Sequence, residues 1–64
     1  MFTVYSSEAP VPYKTLWEAL IAANENSEIY EIKFQQQLEY ITLNRDNGNS
    51  WTISTTHKGI TRKF

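Results

Sequence analysis

The ten residues from Leu43 to Thr52, LNRDNGNSWT, decide how the last part of this chain folds, because they join two runs of strand-forming residues. Leu38–Asn44 and Trp51–His57 both alternate between apolar and polar side chains, which is typical of strands with one buried face. Residues that favour turns fill the space between them. The sequence therefore predicts an antiparallel hairpin whose tip lies inside the quoted stretch.

The length of the hairpin loop decides which side chains share a face, since a shift of one residue moves a whole strand to the other side of the sheet. Asn-Gly at positions 47 and 48 signals a two-residue loop. A three-residue loop, Asp46–Gly48, instead gathers four large apolar side chains on one face. Burying one Trp or Ile contributes about 2 kcal/mol, more than a turn preference does. We therefore predict the three-residue loop, with Gly48 at positive φ in a bulge, Leu43 opposite Trp51, and Ile41 opposite Ile53.

The same stretch contains many oxygen ligands, but their spacing does not match a calcium loop. Counted from Asn44, Asp46 takes the third position of the EF-hand pattern, whereas Gly48 takes the fifth and Thr55 the twelfth. Such a site would offer one carboxylate and no bidentate glutamate. We expect no metal site here.

The first half of the chain predicts one strand, one loop and one helix. Phe2–Tyr5 alternates as a strand does. Ser6–Pro12 is predicted to be a loop, because two prolines within three residues disfavour both helix and ladder. Thr15–Glu18 fits a capping box that starts a helix, with a start at Tyr13 as the alternative. The helix should end near Asn24–Asn26, since asparagine tolerates a left-handed backbone.

Together these elements predict a single compact α+β domain that spans residues 1–64. After the helix, Glu28–Phe34 alternates as a second strand, and the hairpin supplies the third and fourth. We expect one helix on one face of a small, mostly antiparallel four-stranded sheet, in the order β-α-β-β-β. Ile60–Phe64 would add a short fifth strand at an edge. If the two strands that flank the helix are parallel neighbours, the helix makes a right-handed crossover.

The composition favours a folded protein of the cytoplasm. Nine of the 64 residues are aromatic, and there is no cysteine to form a disulfide or a thiolate metal site. A secreted domain of this size usually carries disulfides, so a reducing compartment is expected. The first ten residues lack the pattern of a signal peptide, and no apolar run is long enough to span a membrane.

Charge is distributed unevenly along the chain. Residues 1–32 contain five acids and one lysine, a net charge of −4, whereas residues 33–64 contain five bases and two acids, a net charge of +3. The last eight residues, HKGITRKF, contain no acid. Such asymmetry is found in proteins that bind nucleic acid or acidic partners, but a solvated tail beside an acidic helix is the more common explanation.

The residues that catalysis requires are missing or badly placed. His57 is the only histidine, and it lies near a strand end; the nearby Ser54, Thr55 and Thr56 are typical of an exposed strand face rather than of an activated nucleophile. Glu28 and Glu31 would project from opposite faces of a strand, so they make a poor acid/base pair. Glycine occurs only at positions 48 and 59, too few for a loop that cradles phosphate. We therefore expect that the protein is not an enzyme and that it binds neither a cofactor nor a metal ion.

Binding surfaces remain, and the helix offers the first of them. If Leu16 and Leu20 face the sheet, Trp17 and Ile21 extend the apolar arc beyond what one helix can bury. With Tyr13 they would form an aromatic patch suited to a protein partner. The alternative is that Trp17 closes the edge of a small core.

Two further hypotheses concern the sheet. Its open face could stack single-stranded nucleic acid on an aromatic side chain bordered by cations, using Tyr40, Arg45, Lys58, Arg62 and Lys63. A second copy could instead extend an exposed strand edge and form a homodimer, with Ser50–Thr56 as the candidate strand.

No motif ties the sequence to a particular family. In size, in its lack of catalytic residues and in its element order, the chain is similar in outline to small phage- or mobile-element-encoded proteins that bind and modulate host machinery. This resemblance implies an inhibitor or accessory factor with a host protein as its partner.

Overall fold

The computed structural model describes all residues from Met1 to Phe64 and contains one helix and one six-stranded sheet. The elements, in chain order, are β1 (Phe2–Tyr5), β2 (Val11–Tyr13), α1 (Leu16–Glu25), β3 (Glu31–Gln36), β4 (Glu39–Asn47), β5 (Ser50–His57) and β6 (Ile60–Lys63). Every neighbouring pair of strands is antiparallel, and the order across the sheet is β2-β1-β3-β4-β5-β6. The α+β class with a single helix is confirmed, as is the short edge strand near the C-terminus, but the sheet has more strands than predicted.

The strand that the sequence analysis missed is β2. Val11 pairs with Val4, and Tyr13 pairs with Phe2, so the predicted loop Ser6–Pro12 ends in an edge strand. Pro12 fits there because an edge strand leaves one side of its backbone unpaired, where the missing N–H is tolerated. Since β2 intervenes, β1 and β3 are antiparallel neighbours, and α1 joins β2 to β3 across β1.

The helix begins where the capping box predicts. The Thr15 hydroxyl accepts a hydrogen bond of 3.2 Å from the Glu18 amide, and the helix starts at Leu16 rather than near Tyr13. It ends at Glu25, within the predicted window. Asn26 closes it through an N–H bond to the Ala22 carbonyl, but with an extended backbone at φ −130° rather than a left-handed one.

The core lies between α1 and the strands beneath it. Two small helix residues, Ala19 and Ala23, are fully buried and let the helix lie close to the sheet. Four larger side chains complete the core: Val4, Ile29, Ile32 and Leu43. The side of the sheet that carries α1 is called the helix face below, and the opposite side the far face.

The hairpin of the quoted stretch has a shorter loop than predicted, together with a bulge. The loop is Gly48-Asn49, with Gly48 at φ +57°, and the ladder is irregular between Arg45 and Asn47, which leaves Asp46 as an extra residue. Consequently Leu43 pairs with Ile53 rather than with Trp51. The predicted register was therefore wrong by two residues along β5, and Ile41 pairs with Thr55 rather than with Ile53.

The prediction about faces nevertheless holds. The bulge restores the parity that a plain two-residue loop would lose, so Leu43 and Trp51 lie on the same side of the sheet. Trp51 packs against the core. The burial of large apolar side chains therefore selects the face, and the bulge is the local device that achieves it.

Candidate protein-interaction surface

One row of apolar side chains crosses the helix face and passes out from beneath the helix. Residues paired across neighbouring strands share a face, and the row runs through Val4, Ile32, Leu43 and Ile53. It ends at Phe64, whose N–H donates to the Ile53 carbonyl at 2.9 Å. The exposed fractions of these five residues are 3%, 0%, 8%, 43% and 81%. The helix therefore covers the first half of the row and leaves the second half open.

Four apolar residues on the helix face of β4–β6 form the uncovered surface, which we call the open patch: Ile41, Ile53, Ile60 and Phe64. Each is at least 40% exposed. Thr55 of β5 lies among them and is paired with Arg62 of β6. An exposed apolar cluster with a polar border is typical of a surface that another molecule covers.

One flank of the helix faces this patch. Successive helical residues are turned by 100°, so Ala22 lies on one side of the buried pair Ala19 and Ala23, while Leu16 and Leu20 lie on the other. Ala22 lines a hollow together with residues of β2. The Leu16–Leu20 flank therefore faces away from β2, toward the open patch.

Trp17 and Ile21 lie one turn apart on the solvent side of the helix, about 140° and about 180° from the midpoint of the buried pair Ala19 and Ala23. Trp17 is 72% exposed and Ile21 45%. With Leu20 they line a shallow hollow. We call Trp17 and Ile21 the helix ridge. The structure thus brings together two of the three residues assigned to protein binding from the sequence.

Tyr13, the third of those residues, lies elsewhere. It is on β2, half-buried against the core, and lines the hollow on the Ala22 side of the helix. The helix ridge lies on the solvent side of α1, and Tyr13 lies beneath the helix on β2, so Tyr13 does not extend that surface.

Arg45 ties the helix to the hairpin tip. Its Nε donates to the Ile29 carbonyl at 2.7 Å, and its two terminal nitrogens donate to the carbonyls of Ala23 and Gly48, each at 2.6 Å. The guanidinium also lies over the Trp51 ring, 4.5 Å from its centroid. A cation at the C-terminus of a helix satisfies carbonyls that have no partner within the helix and interacts favourably with its dipole.

The five residues assigned to nucleic-acid binding do not share one surface. Tyr40 lies on the far face, where the Lys33 Nζ sits 4.4 Å from the centroid of its ring. Arg45 is engaged in the contacts above. Among the remaining cations, Lys58 occupies the β5–β6 turn, Arg62 lies on the helix face, and Lys63 pairs with Ser54 on the far face.

His57 has a carboxylate partner at the rim of the open patch. Its Nδ1 lies 2.6 Å from the Glu39 carboxylate, and both side chains are more than half exposed. The pair is solvated, and no nucleophile hydrogen-bonds to either member. No group of three or more His, Asp or Glu side chains is placed to hold a metal ion. The helix α1 lacks the length and the apolar character that crossing a membrane requires.

The open patch was missed by the sequence analysis, which assigned Ile41 and Ile53 to the core. Width is the signal that could have found it. A helix with its side chains is about 10–12 Å across, whereas six strands spaced about 4.8 Å apart span about 24 Å. One helix therefore covers only half of such a sheet.

Comparison with protein-family models, with curated proteins and with solved structures found no match to the chain.

Proposed function

We propose that this chain is a non-enzymatic protein-interaction domain that docks a partner on the open patch and the helix ridge. The observation that carries the proposal is the apolar row itself, whose residues change from 0% exposed at Ile32 to 81% exposed at Phe64 without leaving the same face of the sheet. Because the helix covers only the first half of the row, the second half, with Ile53 and Phe64, stays exposed to water. A partner that covered it would extend the core outward.

The shape of the surface suits a protein. The open patch forms a floor, the Leu20 flank of the helix forms a wall beside it, and the helix ridge lies at the top of that wall. Trp17 and Phe64 are large aromatic side chains that stand free at the two ends of this surface. Aromatic residues in a partly enclosed apolar setting supply most of the binding energy in protein interfaces.

The rim gives the surface its specificity. Arg62 lies beside Thr55, and the Glu39–His57 pair lies at the end of the patch where β5 turns into β6. Charged groups at the rim of an interface contribute to orientation and association rate more than to affinity. We propose an inhibitor or accessory factor acting in the cytoplasm, with a host protein as one candidate partner.

The test is affinity capture from the native host's lysate with matched variants. Trp17→Ala and Ile53→Thr should each lose the captured protein. Val11→Thr is the control, because Val11 is 45% exposed against 43% for Ile53 and lies at the other end of the same row on the same face. Circular dichroism should show that all three variants are folded.

Nuclease treatment of the lysate separates this proposal from nucleic-acid binding. Capture that survives nuclease and is lost in Trp17→Ala and Ile53→Thr supports the proposal. Capture that is unchanged in both variants, or that disappears on nuclease treatment, would overturn it.

A further inference from the structure

We infer that a second copy of this chain occupies the open patch, packed sheet against sheet across a two-fold axis that runs along β5. The inference rests on the proposed function and names the partner for the same surface. It differs from the edge-to-edge homodimer expected from the sequence, because the contact is made by faces rather than by strand edges.

The thickness of the helix layer fits this arrangement. Two sheets pack about 10 Å apart, and a helix with its side chains is about 10–12 Å in diameter. A second sheet laid on β4–β6 would therefore occupy the same layer as α1, beside its Leu20 flank. Each copy would complete the layer that the other copy lacks.

The register of the strands makes the patch complementary to itself. Leu43, Ile53 and Phe64 lie at one level across β4, β5 and β6. A two-fold axis along β5 stacks β4 of one copy over β6 of the other and keeps each level in place. Ile53 then meets Ile53 of the second copy, and Phe64 lies over β4 of the second copy, beside Leu43, which is already only 8% exposed within its own chain.

The next level repeats the match between β4 and β6. Ile41 and Thr55 are paired, and Thr55 is paired with Arg62. The same axis brings Ile41 under the aliphatic stem of Arg62 from the second copy, and the guanidinium remains at the rim, where long cationic side chains place their heads. The interface is isologous, which is the commonest way for two identical chains to associate.

The strand edges favour this face-to-face contact over edge pairing. β2 carries Pro12, which cannot donate a ladder bond. β6 and its turn carry Lys58, Arg62 and Lys63 without an acid. Two β6 strands side by side would bring like charges together, and edge lysines are a common protection against such pairing.

The area available is in the range of a modest interface. A standard interface takes about 800 Å² from each partner, against a total accessible surface of 4794 Å² for this chain. Phe64 alone offers roughly 150 Å², since an aromatic side chain contributes about 150–250 Å² when fully counted and Phe64 is 81% exposed. The isoleucines and the polar rim add the rest, so we expect a dissociation constant that is roughly micromolar.

Stability gives the chain a reason to associate. A domain of this size buries only about 60% of its unfolded surface and is therefore marginally stable, and some small domains gain stability from a disulfide, a metal or oligomerisation. This chain has no cysteine and no cluster of three His, Asp or Glu side chains. Only 8 of its 64 residues are buried, so a second copy on the open patch would add apolar burial that the monomer lacks.

Sedimentation equilibrium over a range of concentrations tests the inference first. The wild-type chain should change from the 7.5 kDa monomer to a species of twice that mass. Ile53→Thr should raise the dissociation constant by roughly tenfold or more, because the substitution acts on both copies, while Val11→Thr should leave it unchanged. A wild-type chain that stays monomeric up to about a hundred times the expected constant, or a dimer that Ile53→Thr does not weaken, would overturn the inference.

Cross-linking tests the position of the axis. The chain has no cysteine of its own, so Ile53→Cys introduces a single thiol next to the proposed axis. A short bismaleimide should join two copies of this variant quickly. Lys63→Cys is the control, since residue 63 is exposed on the far face and should cross-link only slowly. Equal rates for the two variants would overturn the inference.

These outcomes distinguish the two proposals. A monomeric chain that still captures a host protein through Trp17 and Ile53 would remove the second copy and leave the proposed function standing. A dimer whose surface variants capture nothing different from wild type would support the second copy and remove the host partner.

Discussion

Ile32 and Ile53 are the same residue type on the same face of the same sheet, two strands apart, yet one is fully buried and the other is 43% exposed. The difference comes from the helix, which lies over Ile32 and ends its cover at Leu43. The comparison shows that an apolar alternation in the sequence reports the face of a strand but not whether a second layer covers it. The covered half stabilises the fold, and the open half is the surface on which we propose that a partner docks.

The covered half is held at its margin by a polar contact. Arg45 lies on the helix face of β4 and bonds to carbonyls of the helix end, the α1–β3 loop and the hairpin tip. Nothing equivalent fixes a layer over the open patch. Substitutions in the two halves should therefore differ in kind, with loss of stability on one side and loss of association on the other.

The largest expected effect on stability is at Arg45. Arg45→Met should lower the free energy of unfolding by about 3 kcal/mol or more, because it removes several hydrogen bonds of a charged group and leaves the carbonyls of Ala23 and Ile29 without a partner. A domain of this size has a total stability of only about 3–10 kcal/mol. Urea denaturation followed by circular dichroism should show a population that is largely unfolded or close to unfolding.

Arg45→Lys is the matched control for that substitution. It keeps the positive charge at the helix end but cannot reach the separated carbonyls with one ammonium group. Its stability should lie between wild type and Arg45→Met. Full stability in Arg45→Met would show that the hydrogen bonds of Arg45 contribute nothing to the stability of the covered half.

The next largest effect is expected at Ile32, and it can be compared directly with the effect at Ile53. Ile32→Ala should cost about 3 kcal/mol, since it leaves a cavity in a fully buried site, whereas Ile53→Ala should cost about 1 kcal/mol in the monomer because much of that side chain is already in water. Urea denaturation at low protein concentration measures both values. Equal costs would mean that Ile53 is part of the core and that the open patch does not exist as described.

The smallest effect lies in the turns that connect the strands. Gln37 has φ +54°, a left-handed conformation that is strained for a residue with a Cβ. Gln37→Gly should raise the stability by up to about 1 kcal/mol, visible as a higher urea midpoint.

Gly48→Ala provides the opposite control in the other hairpin. It has φ +57° and no atom within 4 Å of an added Cβ, so any loss reports backbone strain alone. A lower midpoint for Gln37→Gly would show that the glycine's extra freedom in the unfolded chain outweighs the relief of strain.

Elements whose sequence signals lie within a few neighbouring residues were predicted correctly, and elements that depend on the whole sheet were not. The N-cap at Thr15 and the alternation in β4 and β5 act through neighbours in the chain, and both were predicted correctly, although only the Thr15 hydroxyl half of the capping box forms. β2 was missed because Pro12 argues against a strand in general, while an edge position tolerates it. Whether a strand lies at an edge depends on the whole sheet, so the three residues of β2 alone cannot predict it.

The candidate site was harder to predict because its parts are distant in sequence. Arg45 looked like a free cation, yet its Nη2 bonds to the carbonyl of Ala23, which lies 22 positions earlier. Phe64 belongs to the row only through its pairing with Ile53. Trp17 and Ile21 were identified from the sequence because the helical period alone places them outside the buried stripe.

The central claim is that the open patch, and not the covered half, is where a second copy docks. The most direct measurement is a dilution series of methyl NMR spectra, because the isoleucines sample both halves of the same face. The account predicts that the methyl signals of Ile41 and Ile53 shift with protein concentration while those of Ile29 and Ile32 stay in place. Signals that shift equally in both halves, or that do not shift at all, would contradict it.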